Sequence, residues 1–259
     1  MRRWIRAPRP VRRNGVREVS ARPRTLRQRL ADLDWEALEA SLWERGYART
    51  RPLLAAAECR EVIALYDEEQ RFRKTVDMES HRFGRGEYKY FCDPLPASVA
   101  ALRTHTYPYL APVANRMAEA LGRAQRFPLT HAAFQQLCRR HGQIHPTPLM
   151  LRYGPGGYNC LHQDLYGDLA FPFQLACFLS EPERDYQGGA FLLVENRPRA
   201  QAAGEAFFPR RGELVIFATA ERPRQGPHGF HRASLRHGVA TVTAGERYTL
   251  GVIFHDARK

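Results

Sequence analysis

Residues 145–174 read HPTPLMLRYGPGGYNCLHQDLYGDLAFPFQ and contain the features that decide the fold. Two short apolar runs, Leu149–Tyr153 and Tyr158–His162, are separated by a turn rich in Gly and Pro, which is typical of two adjoining β-strands. The second run ends at the tripeptide His162-Gln163-Asp164. Because side chains at positions i and i+2 of a strand point to the same face, His162 and Asp164 are expected to converge.

From residue 146 to residue 259 the sequence is typical of a β-protein. Short runs rich in β-branched and aromatic residues alternate with turns that contain Gly or Pro. Seven runs of this kind predict an all-β sandwich or barrel as the core. Besides the two runs above, the predicted strands are Phe173–Leu179, Ala190–Val194, Glu213–Phe217, Val239–Val242 and Tyr248–Phe254.

Residues 26–145 are predicted to form a helical N-terminal part. Apolar residues there recur every three to five positions, which is the spacing of one buried face of a helix. Together with the β-core, this predicts an α+β fold in which N-terminal helices pack on a β-structure. The predicted helices are Leu26–Gly46, Ala56–Asp67, 96–122 with interruptions at Pro108 and Pro112, and Thr130–Arg140.

The N-terminal segment, residues 1–25, is predicted to be a disordered basic arm. Residues 1–27 contain ten Arg and one Glu, and so contribute nine of the thirteen net positive charges of the chain. Such an arm can neutralise phosphates and hold single-stranded or damaged DNA. The alternative is coding bias, because Lys occurs only at Lys74, Lys89 and Lys259 and Arg is the dominant cation everywhere.

The composition excludes several other classes of protein. Apolar residues make up 44% of the 259 residues, enough for a buried core. The five cysteines are odd in number and show no spacing pattern, which argues for reduced thiols and a cytoplasmic location. No apolar run reaches the length of a membrane span. Phosphate-binding loops, dinucleotide fingerprints and GxSxG nucleophile motifs are also absent from the sequence.

A third metal-ligand candidate, His237, follows Asp164 after a gap of some seventy residues. Two histidines and one carboxylate form the facial triad of non-haem Fe(II) oxygenases, which leaves metal positions open for a co-substrate and O2. His228 and His231 are alternative third ligands, although both lie in a predicted loop. A zinc site is the alternative metal centre, but zinc sites that include a carboxylate commonly use HExxH, and no such motif occurs.

Arg247 comes ten residues after His237, at the start of the last predicted strand. A guanidinium group binds a carboxylate through two parallel hydrogen bonds and stays charged at any working pH. A hairpin from His237 to Arg247 is expected to place the two residues on neighbouring strands of one sheet. The pattern therefore predicts a cation that binds the far carboxylate of a co-substrate.

These motifs resemble those of the 2-oxoglutarate- and Fe(II)-dependent dioxygenases, in particular the prolyl-hydroxylase-like branch. From about Leu42 to the C terminus, the sequence is similar to a bacterial family of 2-oxoglutarate–Fe(II) oxygenases that has been described as acting on alkylated DNA. The stretches that carry this similarity are GEYKYF (86–91), residues 145–174, GGAFLLVENRPRAQ (188–201) and RHGVATVTAGERYTLGVIFHDA (236–257).

The resemblance implies a double-stranded β-helix, or jelly roll, for residues 146–259. It also implies Fe(II) as the metal, bound by His162, Asp164 and His237, with 2-oxoglutarate and O2 as co-substrates. Arg247 is expected to bind 2-oxoglutarate. Tyr153 matches a tyrosine that often lines the co-substrate pocket, and a half-buried structural tyrosine is the alternative for this position.

The implied reaction is hydroxylation of a C–H bond with release of succinate and CO2. One candidate substrate is alkylated DNA, which would be oxidatively demethylated, and Tyr88, Tyr90 and Phe91 are then candidates for stacking on a base. The alternative is hydroxylation of a prolyl-type peptide or of an amino acid. A non-catalytic jelly-roll binding module is a third possibility, but the intact ligand set and Arg247 argue against it.

Overall fold

The computed structural model describes residues 24–164, 167–197 and 200–258. Residues 1–23, and with them almost all of the predicted basic arm, lie outside this description. Among the described residues, no helix is both long enough and apolar enough to cross a membrane.

Two helices replace the single predicted helix Leu26–Gly46. The Thr25 side chain caps the first helix, and the Asp34 side chain accepts a hydrogen bond from the backbone N–H of Ala37 to cap the second. Gly46, at φ 79°, ends the second helix in the left-handed conformation that Gly adopts most readily. The helices are α1 Leu26–Ala31, α2 Trp35–Arg45, α3 Ala56–Ala64, α4 Ala97–Ala120 and α5 His131–Arg140.

Helix α4 runs without a break through Pro108 and Pro112, so the predicted interruptions are wrong. Proline removes a backbone hydrogen bond from a helix interior and costs about 3 kcal/mol. Burial of apolar side chains along the helix, among them Leu102, Leu110 and Met117, offsets this cost.

The strands form two larger antiparallel sheets and a small two-stranded one. The strands are β1 Tyr47–Arg49, β2 Phe72–Asp77, β3 Gly84–Arg85, β4 Glu87–Phe91, β5 Leu149–Tyr153, β6 Tyr158–His162, β7 Phe173–Phe178, β8 Tyr186–Gly188, β9 Phe191–Asn196, β10 Ala203–Phe207, β11 Leu214–Ala218, β12 Glu221–Gly226, β13 Gly229–Val239, β14 Val242–Gly245 and β15 Arg247–Ile253. One sheet has the order β1-β11-β7-β15-β5-β4-β2, and the other has the order β10-β9-β13-β6-β3 with β12 paired to β13.

The central strands of the seven-stranded sheet, β7, β11 and β15, are buried on both faces. Successive side chains of a strand point to opposite faces, so Leu250 and Val252 of β15 pack into the main apolar core together with the helices. Phe178 and Phe217, on neighbouring strands, belong to a second apolar cluster on the face toward the other sheet. The predicted α+β class, with N-terminal helices packed on a double-stranded β-helix core, is therefore confirmed.

The predicted helical part, residues 26–145, also contributes four strands to the sheets. β1 pairs with β11, β4 pairs with β5 and with β2, and β3 pairs with β6. Propensity alone did not predict these strands, because β1 and β3 are very short and β2 and β4 carry charged residues. β1, β3 and β4 pair with strands that come from much later in the chain.

The region around His228 and His231 is a hairpin of β12 and β13, and not the predicted loop. Strand β13 ends at Val239, and Val242 begins a separate strand that pairs with β8, so the predicted strand Val239–Val242 is wrong. The first four residues of β13 are all solvent-exposed, so this part of the strand lacks the alternation of buried and exposed residues on which strand prediction depends.

Candidate active site

A cavity of ≈ 460 Å³ lies between the two large sheets. The inner face of the seven-stranded sheet forms its floor, and β6 and β13 form the opposite wall. At the centre of the floor, a Cβ added at Gly251 would lie 2.7 Å from the Leu149 side chain. Because Gly251 has no side chain, it leaves room for the Leu149 side chain and for the cavity above the sheet.

The strand register fixes the order of the side chains along the floor. Arg247 lies opposite Tyr153 at one end, and Gly251 lies opposite Leu149 in the middle. At the other end, Ile253 of β15 lies opposite Gln174 of β7. Residues 247 and 253 are six positions apart on one strand, which corresponds to about 20 Å.

His162, Asp164 and His237 meet on the opposite wall of the cavity. Strand β6 ends at His162, which is the register partner of His237 on β13. The Nε2 atom of His162 lies 3.5 Å from Oδ1 of Asp164, and Nε2 of His237 lies 3.3 Å from Oδ2. One ligand atom from each residue lies within 4.8 Å of the others, and no other such group of three occurs among the described residues.

Hydrogen bonding determines how His162 presents its ring. Its Nδ1 lies 2.7 Å from the carbonyl oxygen of Cys160. A carbonyl oxygen only accepts, so Nδ1 carries the proton and Nε2 is left with a lone pair that points toward Asp164. The His237 ring is held differently, by packing, because its buried Nδ1 has no hydrogen-bond partner among the described residues and its ring lies 4.6 Å from that of Phe217.

The protonation states of Asp164 and His162 suit metal ligands. Burial raises the pKa of Asp164, but a hydrogen bond and charge from His237, the charge of His162 and the amide of Gln174 outweigh burial and leave the pKa below its usual value. Burial and the neighbouring His237 lower the pKa of His162. At neutral pH the carboxyl is therefore ionised and the His162 imidazole is neutral, as metal coordination requires.

Arg247 is a buried cation with unused hydrogen-bond donors. Its side chain is 1% exposed, and Nη1 donates to Oγ1 of Thr249 at 2.8 Å. Among the described residues, Nε and Nη2 have no acceptor. Burial lowers the pKa of Arg247, while the hydroxyls of Tyr186 and Tyr153 raise it. A buried guanidinium without a carboxylate partner is costly unless an anion binds it, so this end of the cavity fits a carboxylate ligand.

Two tyrosine side chains lie beside Arg247. Its guanidinium carbon lies 5.5 Å from the ring centre of Tyr153 and 5.9 Å from that of Tyr186. Asn159 donates a hydrogen bond to the Tyr153 hydroxyl at 3.3 Å, and burial raises the pKa of Tyr153 to about 12. The Tyr186 hydroxyl has no partner among the described residues. The sequence analysis missed both Thr249 and Tyr186. The strand period could have indicated Thr249, which lies two positions after Arg247, but nothing in the sequence pointed to Tyr186.

Arg247 and His237 lie on facing sheets, so the expectation of neighbouring strands in one sheet is wrong. β13 belongs to the sheet that also contains β6, whereas β15 pairs with β5 and β7. The intervening strand β14 pairs with β8, and the chain crosses from one sheet to the other there. As a result, the two residues line opposite walls of one cavity.

The three aromatic residues proposed for base stacking have different environments. Tyr88 and Tyr90 line the cavity with their rings edge to face, 5.5 Å apart. Phe91 is fully buried in the main core, so its assignment to base stacking is wrong. At the mouth, the turn after β2 adds Arg82, which has φ 61°, and Phe83, which is 46% exposed.

The fold is that of the 2-oxoglutarate–Fe(II) oxygenases. It is similar to a prolyl-4-hydroxylase of Pseudomonas putida, with a TM-score of 0.53 and 16% identity over 87% of this chain and 100% of that protein. It is equally similar to an oxidoreductase of the 2OG-Fe(II) oxygenase family from Burkholderia pseudomallei, with a TM-score of 0.53 and 16% identity over 87% of this chain and 94% of the other.

Residues 86–257 match the model of the Oxygenase-NA family, described as an oxygenase catalysing oxidative methylation of damaged DNA, and the chain belongs to this family. A relative in Mycobacterium tuberculosis (strain ATCC 25618 / H37Rv), an uncharacterized protein, is 42% identical over 192 residues, which is 72% of this chain and 82% of the relative. The protein is therefore an oxygenase, and so an oxidoreductase.

Proposed function

We propose that the protein uses Fe(II), 2-oxoglutarate and O2 to hydroxylate a C–H bond, with release of succinate and CO2. The observation that carries this proposal is that one cavity contains two complementary groups on facing sheets. One is a cluster of two histidines and a carboxylate, and the other is a buried arginine with two unused donor atoms.

In this proposal His162, Asp164 and His237 hold the iron. Two imidazole nitrogens and one carboxylate oxygen suit Fe(II) and leave positions free, whereas a closed structural zinc site would need a fourth protein ligand. When bound, the iron supplies the oxidation of the C–H bond with O2 and 2-oxoglutarate. The protein supplies an ionised Asp164 and a neutral His162 with its Nε2 lone pair already turned toward the site.

The free donors of Arg247 would bind the distal carboxylate of 2-oxoglutarate. Thr249 holds one nitrogen of the guanidinium, which leaves Nε and Nη2 for the ligand. Tyr153 and Tyr186, whose ring centres lie 5.5 and 5.9 Å from the guanidinium carbon, are further candidates to bind the same carboxylate. Apolar side chains such as Leu151 and Val239 line the same cavity and exclude water, which protects the reaction from side reactions with solvent.

For the substrate, we propose a methylated base in DNA. The description of the family supports this choice. Hydroxylation of an N-methyl group gives an N-hydroxymethyl product that loses formaldehyde, so the net result is removal of the methyl group. An enzyme of this kind needs its target base unpaired or flipped out of the duplex. Tyr88 and Tyr90 in the cavity and Phe83 at its mouth offer aromatic surfaces for such a base.

The test is a comparison of products. Iron-loaded protein is incubated with 2-oxoglutarate and an N-methylated single-stranded oligonucleotide, and formaldehyde and succinate are both measured. We expect the two to form together from the methylated strand and no formaldehyde from an unmethylated one. A proline-rich peptide is run alongside, and hydroxylated peptide without formaldehyde from DNA would reject the DNA proposal in favour of a peptidyl hydroxylase.

A further inference from the structure

Gln163 is the middle residue of the His162-Gln163-Asp164 tripeptide, between two residues of the candidate metal cluster. Its side-chain amide bonds to a part of the chain that comes 57 or more residues later. The amide nitrogen Nε2 lies 2.8 Å from the carbonyl oxygens of Ala220 and Leu235 and 3.1 Å from Oγ of Ser234. A carbonyl oxygen only accepts, so the two N–H groups of the amide donate to Ala220 and Leu235.

These acceptors lie where the pairing of β6 with β13 stops. Strand β6 ends at His162, which is paired with His237. Leu235 lies two residues before His237 on β13, and Ala220 lies in the connection between β11 and β12, where the chain passes from the seven-stranded sheet to the other large sheet. Leu235 also donates its backbone N–H to the carbonyl oxygen of Ala220 at 2.8 Å. The Gln163 amide therefore joins the end of β6 to β13 and to this connection.

This link acts on the backbone that carries two of the three candidate ligands. Gln163 is the one residue between His162, at the end of β6, and Asp164. Its hydrogen bond to Leu235 holds it against β13, the strand that carries His237. A metal site must hold its ligands within about 0.5 Å of the productive geometry. Loss of the link is therefore expected to loosen the geometry of the ligand set.

We propose that Gln163 is a positioning residue for the candidate metal site. Its amide fixes the end of β6 against β13, and so sets the distance between the Asp164 carboxylate and the His237 imidazole. The inference rests on the proposed function, since it assumes that the cluster binds a metal. Loss of a residue that supports metal ligands typically weakens metal binding about 10–100-fold. Because Gln163 acts on the ligands through the backbone, we expect the lower end of this range.

A binding experiment separates this role from a general contribution to stability. Gln163→Met removes the amide and keeps a similar length and volume, and Mn(II) binding is measured by calorimetry without turnover. The matched control is Asn115→Leu on α4. The Asn115 amide is also half-buried and bonds both backbone groups of Phe127, at 2.7 and 3.0 Å, but it does not line the cavity. Both variants lose two hydrogen bonds to the backbone, so both should unfold at lower temperature.

We expect Gln163→Met to raise the Kd for Mn(II) about ten-fold, and Asn115→Leu to leave it unchanged. The visible spectrum of bound Co(II), which reports ligand geometry, should change only in Gln163→Met. If Gln163→Met does not fold, Gln163→Asn serves instead. It keeps a polar group at this half-buried position, but its side chain is one methylene shorter and loses the link to Ala220 and Leu235, so its Kd should rise in the same way.

The outcomes distinguish this inference from the proposed function. If the wild type does not bind Mn(II), the metal site itself is wrong and the positioning role fails with it. If the wild type binds Mn(II) and a folded Gln163 variant binds it equally tightly, the positioning role is overturned while the metal site stands. An equal rise of the Kd in Asn115→Leu would attribute the effect to lost stability, and it would also overturn the positioning role.

Discussion

The Nε2 atom of His237 lies 3.3 Å from Oδ2 of Asp164, although the two residues are far apart in the sequence. The contact follows from the register of β13 and β6, in which His237 lies directly opposite His162. Asp164 follows two residues after His162 and reaches the same point. The pairing of the two strands thus brings the residues of the candidate metal site together.

Arg247→Lys should raise the KM for 2-oxoglutarate. The substitution keeps the charge but removes the planar fork, and loss of a hydrogen bond to a charged group costs about 1.5–3 kcal/mol, which is roughly ten-fold or more in affinity. The measurement is succinate formation at varied 2-oxoglutarate. Arg236→Lys, at an exposed position of β13, is the control and should keep the wild-type KM. Equal KM values for all three proteins would remove Arg247 from the co-substrate site.

Phe83→Ala should raise the KM for methylated single-stranded DNA. Stacking of a base on an aromatic side chain contributes about 1–3 kcal/mol, so the KM for the oligonucleotide is expected to rise about ten-fold. Phe208→Ala is a matched control, because Phe208 is 47% exposed, against 46% for Phe83, and does not line the cavity. The same loss in both variants would show that exposure of an aromatic ring, and not its place at the mouth, explains the effect.

Removal of residues 1–23 should weaken DNA binding in a salt-dependent way. This segment contains eight Arg and one Glu, and each phosphate that it neutralises contributes about 0.7–0.9 to the slope of log K against log salt. The deletion stops before Thr25 because that residue caps α1. Binding measured at several salt concentrations should show a flatter slope for the truncated protein. If the slope of log K against log salt is the same for both proteins, the arginines of this segment do not bind DNA, and coding bias explains their number.

The protein should lose stability as the pH falls from about 6.5 to about 4. His255 is 1% exposed, and its Nδ1 accepts a hydrogen bond from the backbone N–H of Phe171 at 3.1 Å. Burial and the charge of Arg103 lower its pKa to about 4. The unfolded chain therefore binds a proton in this window before the folded chain does, which removes up to about 3 kcal/mol of stability.

His255→Asn provides the control for this pH effect. The Asn side chain keeps an acceptor and does not titrate, so the free energy of unfolding in urea should fall less between pH 7.5 and pH 4.5 than in the wild type. Buried His131, whose pKa burial lowers to about 3, remains in both proteins and adds the same slope to each. Identical pH dependence in the two proteins would contradict the assignment to His255.

The sequence predicted the parts of the site that depend on local pattern. His162 and Asp164 share a strand end, and the spacing from His237 to Arg247 indicated their chemistry. The sequence did not predict Gln174, because its strand β7 is buried along its whole length and shows no alternation. It did not predict Tyr186 either, because β8 is only three residues long. The crossing of the chain between sheets depends on pairings between distant strands, which local patterns do not contain.

Succinate formation from 2-oxoglutarate, with and without added Fe(II), tests the central claim most directly. The variants are Asp164→Ala, His237→Ala and His231→Ala, and circular dichroism establishes that each is folded. The account predicts Fe(II)-dependent succinate from the wild type and from His231→Ala, and none from Asp164→Ala or His237→Ala. Full succinate formation by folded His237→Ala, or none by the iron-loaded wild type, would contradict it.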